Sequence, residues 1–125
     1  MTHCTHEQSQ ALKEIGFDMP TRDYYTRAGG IKNNASAHDW NIHFITSAPT
    51  PYEVLDWFRE TKGMFGSIIM LTDGIAADWG FVIEENPYGY YLYDSIEHGR
   101  IYHTYPEALS ALIDKLITIL EEQKA

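Results

Sequence analysis

The residues from Thr50 to Gly63 carry the signals for both ends of a helix, and this helix restricts the possible folds more than any other feature. Thr50 suits the N-cap, Pro51 suits the first helical position, and Glu53 stands where the acid of a capping box reaches back. Gly63 marks the C-terminal end. Trp57 is predicted either to widen the core contact or to stay partly exposed. The core-facing stripe of this helix consists of Val54, Leu55 and Phe58.

Length and cysteine content place the chain in a broad class. With 125 residues, 44% of them hydrophobic, the chain is predicted to form one domain over residues 1–125 with its own core. The single cysteine, Cys4, excludes an internal disulfide, and the opening residues lack the features of a signal peptide. No apolar run approaches the roughly 20 residues that span a bilayer. We therefore predict a cytoplasmic protein without a membrane role.

The charge of the chain argues against nucleic acid as a partner. The formal net charge is −9, and residues 73–125 carry 10 acidic and 3 basic side chains. An acidic field repels nucleic acid and anionic membranes unless a basic patch intervenes, and the sequence contains no cluster of Lys or Arg.

The first half of the chain predicts one helix, one long loop and one strand. A capping box at Thr5 opens a short helix that Gly16 ends. Residues 18–36 contain several turn formers and no periodic pattern, which indicates a long loop. Residues 40–45 alternate apolar and polar side chains, which predicts a strand whose inward residues are Trp40, Ile42 and Phe44.

The second half predicts a sheet and a last helix. The apolar run 67–71 indicates a strand buried on both faces in the middle of the sheet. Residues 78–85 and 90–95 read as a hairpin closed by 86–89, in which Ile83 faces Tyr93 and Glu85 faces Tyr91, with both tyrosines in the core. Residues 100–103 follow as a short edge strand. A helix capped by Thr104 closes the chain, with a stripe formed by Leu109, Leu112, Ile113, Leu116 and Leu120.

Together these elements predict an α+β fold in the order αβαβββα. Its antiparallel-rich sheet has four to five strands, and two to three helices cover one face. Residues 1–4 and 121–125 are expected to fray.

Three segments carry a resemblance to other proteins. They are residues 11–18, the block Trp57-Phe58-Arg59-Glu60 within 57–64 after Ala48-Pro49, and the last helix from Tyr105-Pro106-Glu107-Ala108 onward. These blocks resemble recurring segments of small proteins from gut Bacteroidales genomes and their phages. The resemblance implies an accessory protein of a bacterial or phage genome, and it implies no activity.

Few residue patterns suggest catalysis or metal binding. His3, Cys4 and His6 are soft metal ligands, but structural zinc takes four ligands and Cys4 has no partner cysteine. Asp73 and Asp78 flank a flexible segment and could bind magnesium without matching any calcium-loop spacing. No motif assembles a nucleophile, a base and oxyanion donors. The sequence therefore predicts a non-enzymatic protein without cofactor or metal; the alternative is a small metal-dependent hydrolase or nuclease that uses these two aspartates with a histidine.

An acidic, tyrosine-rich surface around the hairpin is the predicted partner site. Negative charge interleaved with tyrosine suits a basic protein partner, because the charges raise the association rate and the tyrosines supply anchors. Two alternatives remain: a homodimer through the Tyr-rich edge strand, and acids that only keep the protein soluble. The predicted partner-binding residues are Glu84, Glu85, Tyr88, Tyr90, Glu97 and Tyr102.

Overall fold

A computed structural model of the chain describes residues 2–41, 45–85 and 90–124. The described chain is α+β, as predicted, but the order of its elements is αβββαβββα. No helix in these ranges is long and apolar enough to cross a membrane. The elements are α1 (His6–Glu14), β1 (Thr21–Tyr25), β2 (Ile31–His38), β3 (Thr46–Ser47), α2 (Pro51–Lys62), β4 (Met64–Thr72), β5 (Ala77–Glu85), β6 (Tyr90–Asp94) and α3 (Tyr105–Lys124).

The helix ends follow the local sequence signals. Capping boxes form at the start of α1, between Thr5 and Gln8, and at the start of α2, between Thr50 and Glu53. Gly63 ends α2 with φ 65°, a left-handed conformation that glycine adopts without steric cost. These predictions are confirmed. They could be made from the sequence because each cap depends only on neighbouring residues.

The predicted long loop over 18–36 is wrong, since this segment contains β1 and β2. The turn between them is closed by a 2.8 Å hydrogen bond from the Thr26 N–H to the Gly30 carbonyl oxygen. The glycine pair therefore makes a hairpin turn instead of breaking up the segment. With β3, the two strands form the antiparallel sheet A, in the order β2-β1-β3.

The predicted strand over 40–45 is also revised. Ile42 and Phe44 lie outside the described residues, and the described strand nearby is β3, two residues long. Trp40 is half-buried outside any strand, where its indole packs on Tyr24 with ring centroids 4.5 Å apart.

Sheet B contains the other three strands, in the antiparallel order β4-β5-β6. The strand predicted to lie in the middle, around 67–71, belongs to β4 and lies at an edge. Its burial is partial, and Met70 is 55% exposed. An apolar run alone does not distinguish a middle strand from an edge strand, because the position of a strand in the sheet depends on contacts with residues far away in the sequence.

The predicted hairpin exists, with one change of register. Ile83 pairs with Tyr93 as predicted, but Glu85 pairs with Tyr90 and Glu84 with Tyr91, because the register shifts after Ile83. An extra residue on one strand reverses the side-chain alternation beyond it. Tyr91 was predicted to lie in the core and is instead 66% exposed.

Two further expectations fail in part. The edge strand predicted over 100–103 is reduced to one isolated bridge, between Trp79 and Tyr102. The expected fraying of residues 1–4 does not hold at Cys4, which is fully buried and donates its N–H to the Pro49 carbonyl oxygen over 2.9 Å. At the other end, α3 continues to Lys124.

The core lies between sheet B and the three helices. Trp57 is 3% exposed, so it widens the core contact of α2, and its indole N–H donates to the Asp18 carboxylate over 3.0 Å. The buried cluster also includes Phe81 and Ile83 from β5 and Leu112 and Leu116 from α3.

Candidate functional site

The residues predicted to bind a partner do not form one patch. Glu84 and Glu85 lie at the end of β5, whereas Tyr102 bridges Trp79 near the start of the same strand. Six residues of extended chain separate the two places, which is about 20 Å. Glu97 lies in the segment after β6, beyond Asp94. Tyr88 lies outside the described residues, and of Tyr90 only the backbone is described.

The aspartates of the hydrolase alternative have other partners. Asp73 accepts hydrogen bonds from the N–H groups of Ile75 and Ala76, which lower the pKa of its carboxyl group. Asp78 contacts His103 over 3.2 Å. Within residues 2–41, 45–85 and 90–124, no group of three or more His, Cys, Asp or Glu side chains is arranged to hold a metal ion.

The three soft ligands near the N-terminus also point to different partners. His3 contacts the Asp23 carboxylate over 2.5 Å, and His6 packs on the Tyr25 ring at 4.8 Å. Cys4 is buried, and burial raises the pKa of its thiol to about 12. The three side chains therefore make separate contacts, with Asp23, with the core and with Tyr25.

Among the described strands, β4 pairs with β5 on one side and with no strand on the other. Trp79 both donates to and accepts from the main chain of Tyr102, so its polar groups point away from β4. Polar groups alternate in direction along an antiparallel strand, so the neighbours of Trp79 in β5 bond to β4. Ile69 lies opposite Gly80, so its N–H and C=O groups bond to β5. Met70 lies opposite Trp79, so its N–H and C=O groups point the other way, toward the open edge. The same holds for every second residue of the strand, namely Met64, Gly66, Ile68 and Thr72.

Nothing in β4 protects this open edge. Native edge strands usually carry a charge, a proline or a bulge, or are short. β4 has nine residues, its nine pairs with β5 are in unbroken register, and it contains no charged residue and no proline. By contrast, the edge strand β2 carries Lys32 and faces a register shift in β1, and β6 has five residues and a register shift.

A row of apolar and aromatic side chains continues from the end of β4. Met70 pairs with Trp79, and the Trp79 and Tyr105 rings meet edge to face at 5.3 Å. Tyr105 in turn hydrogen-bonds Tyr52, an interaction that raises the pKa of Tyr105. Tyr52 is 57% exposed. Met70 is also exposed, whereas Trp79 and Tyr105 are partly buried between the two ends of the row. Partly exposed Tyr, Trp and Met side chains are enriched in protein interfaces.

Carboxylates flank β4 at both ends. Glu84 lies opposite Phe65 and Asp78 lies opposite Leu71, on the sheet face that turns away from the helices. Asp73 follows the strand directly and is charged at neutral pH, as aspartate ordinarily is. A segment that lies along β4 would therefore have its ends near negative charge.

Sequence reasoning missed this edge, although the signal is visible in the sequence. Residues 64–72 contain no charged residue and no proline. This lack could have indicated an unprotected edge strand. The run was instead interpreted as a buried middle strand, because both arrangements favour uncharged residues.

Comparison of the chain with protein-family models, with curated proteins and with solved structures returned no significant match.

Proposed function

We propose that this protein is a non-enzymatic protein-binding module, and that the open edge of β4 accepts an extended segment of a partner protein as a fourth strand of sheet B. The observation that carries the proposal is the unprotected edge: nine regular, uncharged residues, of which every second one turns its main-chain groups outward. Strand addition of this kind draws its affinity from main-chain hydrogen bonds and its specificity from alternate side chains.

The surroundings of β4 support a particular kind of partner. The strand offers Ile69 and Leu71 on one face and Met70 on the other, which suits alternate apolar residues in the added segment. Asp73 and Asp78 at one end, and Glu84 at the other, favour Lys or Arg at the ends of that segment. The basic partner predicted from the acidic, tyrosine-rich hairpin therefore remains in the proposal, with its contact surface moved to β4.

The proposed setting is the bacterial cytoplasm. A chain with one cysteine cannot form an internal disulfide, which fits a reducing compartment. An accessory protein of a bacterial or phage genome, the class implied by the resemblance, suits a role in binding another protein.

Site-specific crosslinking tests the proposal. A photoreactive phenylalanine analogue replaces Thr72, an exposed residue of β4, and in a matched control it replaces Tyr91 of β6, which is 66% exposed. In lysate of the bacterium that carries the gene, we expect a partner adduct at position 72 and none at position 91. Equal adducts at both positions, or none at either, would contradict the proposal.

A pair of substitutions then separates main-chain pairing from side-chain contact. Met70→Pro removes an outward N–H without removing a bond to β5, whereas Met70→Thr shortens the side chain and keeps that N–H. We expect the proline variant to lose the adduct at position 72 and the threonine variant to retain it. Two copies of the chain can also pair through β4, since the strand carries no repelling charge, and sedimentation of the purified protein identifies that outcome.

A further inference from the structure

Sheet B has one face that turns away from the helices, and this outer face carries apolar side chains. Paired residues of β4 and β5 share a face, and Gly66 and Ile83 lie on the helix side, where Leu112 of α3 packs over Gly66. The helices that pack on these two strands are α2 and α3. In the described part of the chain, no helix covers the outer face.

The outer side of β4 lacks the polar side chains of a face that stays in water. An antiparallel sheet with one solvated face usually alternates apolar residues inward with polar residues outward. The outward positions of β4 hold Phe65, Ser67, Ile69 and Leu71, of which only Ser67 is polar, and the other three are partly exposed. Apolar residues on both sides indicate a strand that is covered on both faces, whereas the described chain covers only the helix side.

The next segments of the chain widen this apolar surface. Val82 lies opposite Ser67 on β5 and is 5% exposed. Ile96, in the turn after β6, packs over Gly80, where an added Cβ atom would lie 2.7 Å from the Ile96 side chain. Because Gly80 lies opposite Ile69, Ile96 adjoins the apolar row of β4. We call this surface the outer patch; it consists of Phe65, Ile69, Leu71, Val82 and Ile96.

Carboxylates surround the outer patch, and sheet B has no Lys or Arg to balance them. Asp78 and Glu84 lie on the outer face itself, and Asp94 pairs with Val82. Asp78 also contacts His103, which is exposed. Residues 63–99 contain no Lys or Arg and six acidic residues, namely Asp73, Asp78, Glu84, Glu85, Asp94 and Glu97. A second copy of the chain would bring like charges together, so charge complementarity favours a basic occupant.

We infer that the outer patch binds an amphipathic helix of a basic protein, with the apolar side of the helix on the patch and its Lys or Arg side chains toward Asp78 and Glu84. The row from Phe65 to Leu71 is about 20 Å long, which matches about 13 residues of helix. A helix about 10 Å wide covers β4 and β5, so Tyr91 of β6 stays outside the contact. This contact uses side chains on the face of the sheet and does not require the main-chain groups of the β4 edge.

Titration with three synthetic peptides of about 14 residues, followed by NMR, tests this inference. The first peptide has Leu on one side of a helix and Lys on the other, the second has Glu in place of every Lys, and the third has the composition of the first in strict alternation. We expect the first peptide to shift the methyl signals of Ile69, Val82 and Ile96 and to bind about tenfold more tightly than the second and third.

Three results would overturn the inference. They are equal affinity for the Glu peptide or for the alternating peptide, methyl shifts that fall on Leu112 of the helix side instead of the outer patch, and no binding of the first peptide. Shifts confined to the outward main-chain amides of β4 would place the peptide at the strand edge, and they would therefore also count against the outer patch.

A pair of matched isoleucine variants locates the contact. Ile69→Lys places a charge within the outer patch, and Ile31→Lys makes the same change on β2 of sheet A, where Ile31 is 45% exposed. We expect the first variant to bind the helical Lys peptide about tenfold more weakly and the second to bind it as the wild type does. Equal losses in both variants would contradict the site.

A second pair of variants removes charge without changing shape, and it does not depend on whether Ile69→Lys folds. Asp78→Asn combined with Glu84→Gln should weaken the helical Lys peptide about fivefold. Glu14→Gln combined with Glu60→Gln is the control, because it removes two exposed carboxylates from α1 and α2. An equal loss in this control, or undiminished affinity when Asp78 and Glu84 are neutralised, would refute the role of the acidic border.

Discussion

Cys4 was expected to lie in a frayed segment, but its side chain lies in the core. It stands near the start of the chain, yet its side chain is fully buried in the cluster that includes Phe17 and Leu116. The Tyr25 hydroxyl donates to the Cys4 carbonyl oxygen over 2.5 Å. Burial excludes the thiolate, so we interpret this cysteine as a structural residue. Sequence reasoning could not reveal this, because the contacts of Cys4 come from β1 and α3.

The raised pKa of Cys4 predicts a loss of stability in alkaline solution. Burial, followed by the charges of Asp114 and Glu53, raises the pKa from 9.0 to about 12. Above pH 9.0 the unfolded thiol loses its proton while the folded thiol keeps it, so the free energy of unfolding falls as pH rises. The slope from this residue is about 1.4 kcal/mol per pH unit up to the folded pKa.

Urea unfolding at several pH values between 9.0 and about 12 measures this slope. The Cys4→Ala variant should be less stable at neutral pH but should lose less stability per pH unit than the wild type. Tyr25, Tyr102 and Tyr105 also have raised pKa values and remain in both proteins. Since the charge of Cys4 is one cause of the raised pKa of Tyr25, the difference in slope reports Cys4 together with its effect on Tyr25. Identical slopes in the two proteins would show that the thiol is not shielded.

At the scale of elements, the helices could be predicted and the pairing of strands could not. The helix ends are set by local contacts: Thr5 and Thr50 cap the starts of α1 and α2, and Gly63 ends α2. Each cap involves residues within one helical turn, so it can be predicted from the neighbouring sequence. The position of β4 at an edge and the register shift after Ile83 depend on partners far along the chain. The separation of the predicted partner-binding residues was missed for the same reason, because the pairing of β5 places Glu85 and Tyr102 far apart.

Helix α3 provides a test of the predicted core. Leu116 is fully buried in the same cluster as Trp57 of α2. Leu116→Ala should therefore lower the free energy of unfolding by about 2–5 kcal/mol, the range for truncation of a buried leucine. Ile75→Ala is the matched control at a site that is 94% exposed, and it should change stability by less than about 0.5 kcal/mol. Urea unfolding that shows equal effects for both variants would refute the packing of this helix.

At the scale of the whole molecule, two surfaces with different chemistry lie on opposite sides of sheet B. The β4 side is uncharged along the strand and acidic at its ends, which suits an extended basic segment. On the β6 side, the Lys115 ammonium lies over the Tyr93 ring, and Arg100 lies near Tyr102. Net charge could not reveal where the few cations of an acidic chain lie, because composition averages over surfaces that the fold separates.

Charge at the ends of β4 should also make partner binding depend on salt. The Debye length falls from roughly 10 Å at 0.1 M salt to 3 Å at 1 M, so steering by Asp73, Asp78 and Glu84 weakens while main-chain pairing persists. The rate of association is therefore the quantity that salt is expected to change most.

Amide hydrogen exchange along β4, measured by NMR on dilute protein without a partner, tests the central claim most directly. The account predicts an alternating pattern in which the outward N–H groups of Gly66, Ile68 and Met70 exchange about tenfold faster or more than those of Ser67, Ile69 and Leu71. That pattern would show a free row of main-chain donors ready to pair with an added strand. Uniform protection along the six residues would show that the edge is already covered, and it would contradict the proposed binding mode.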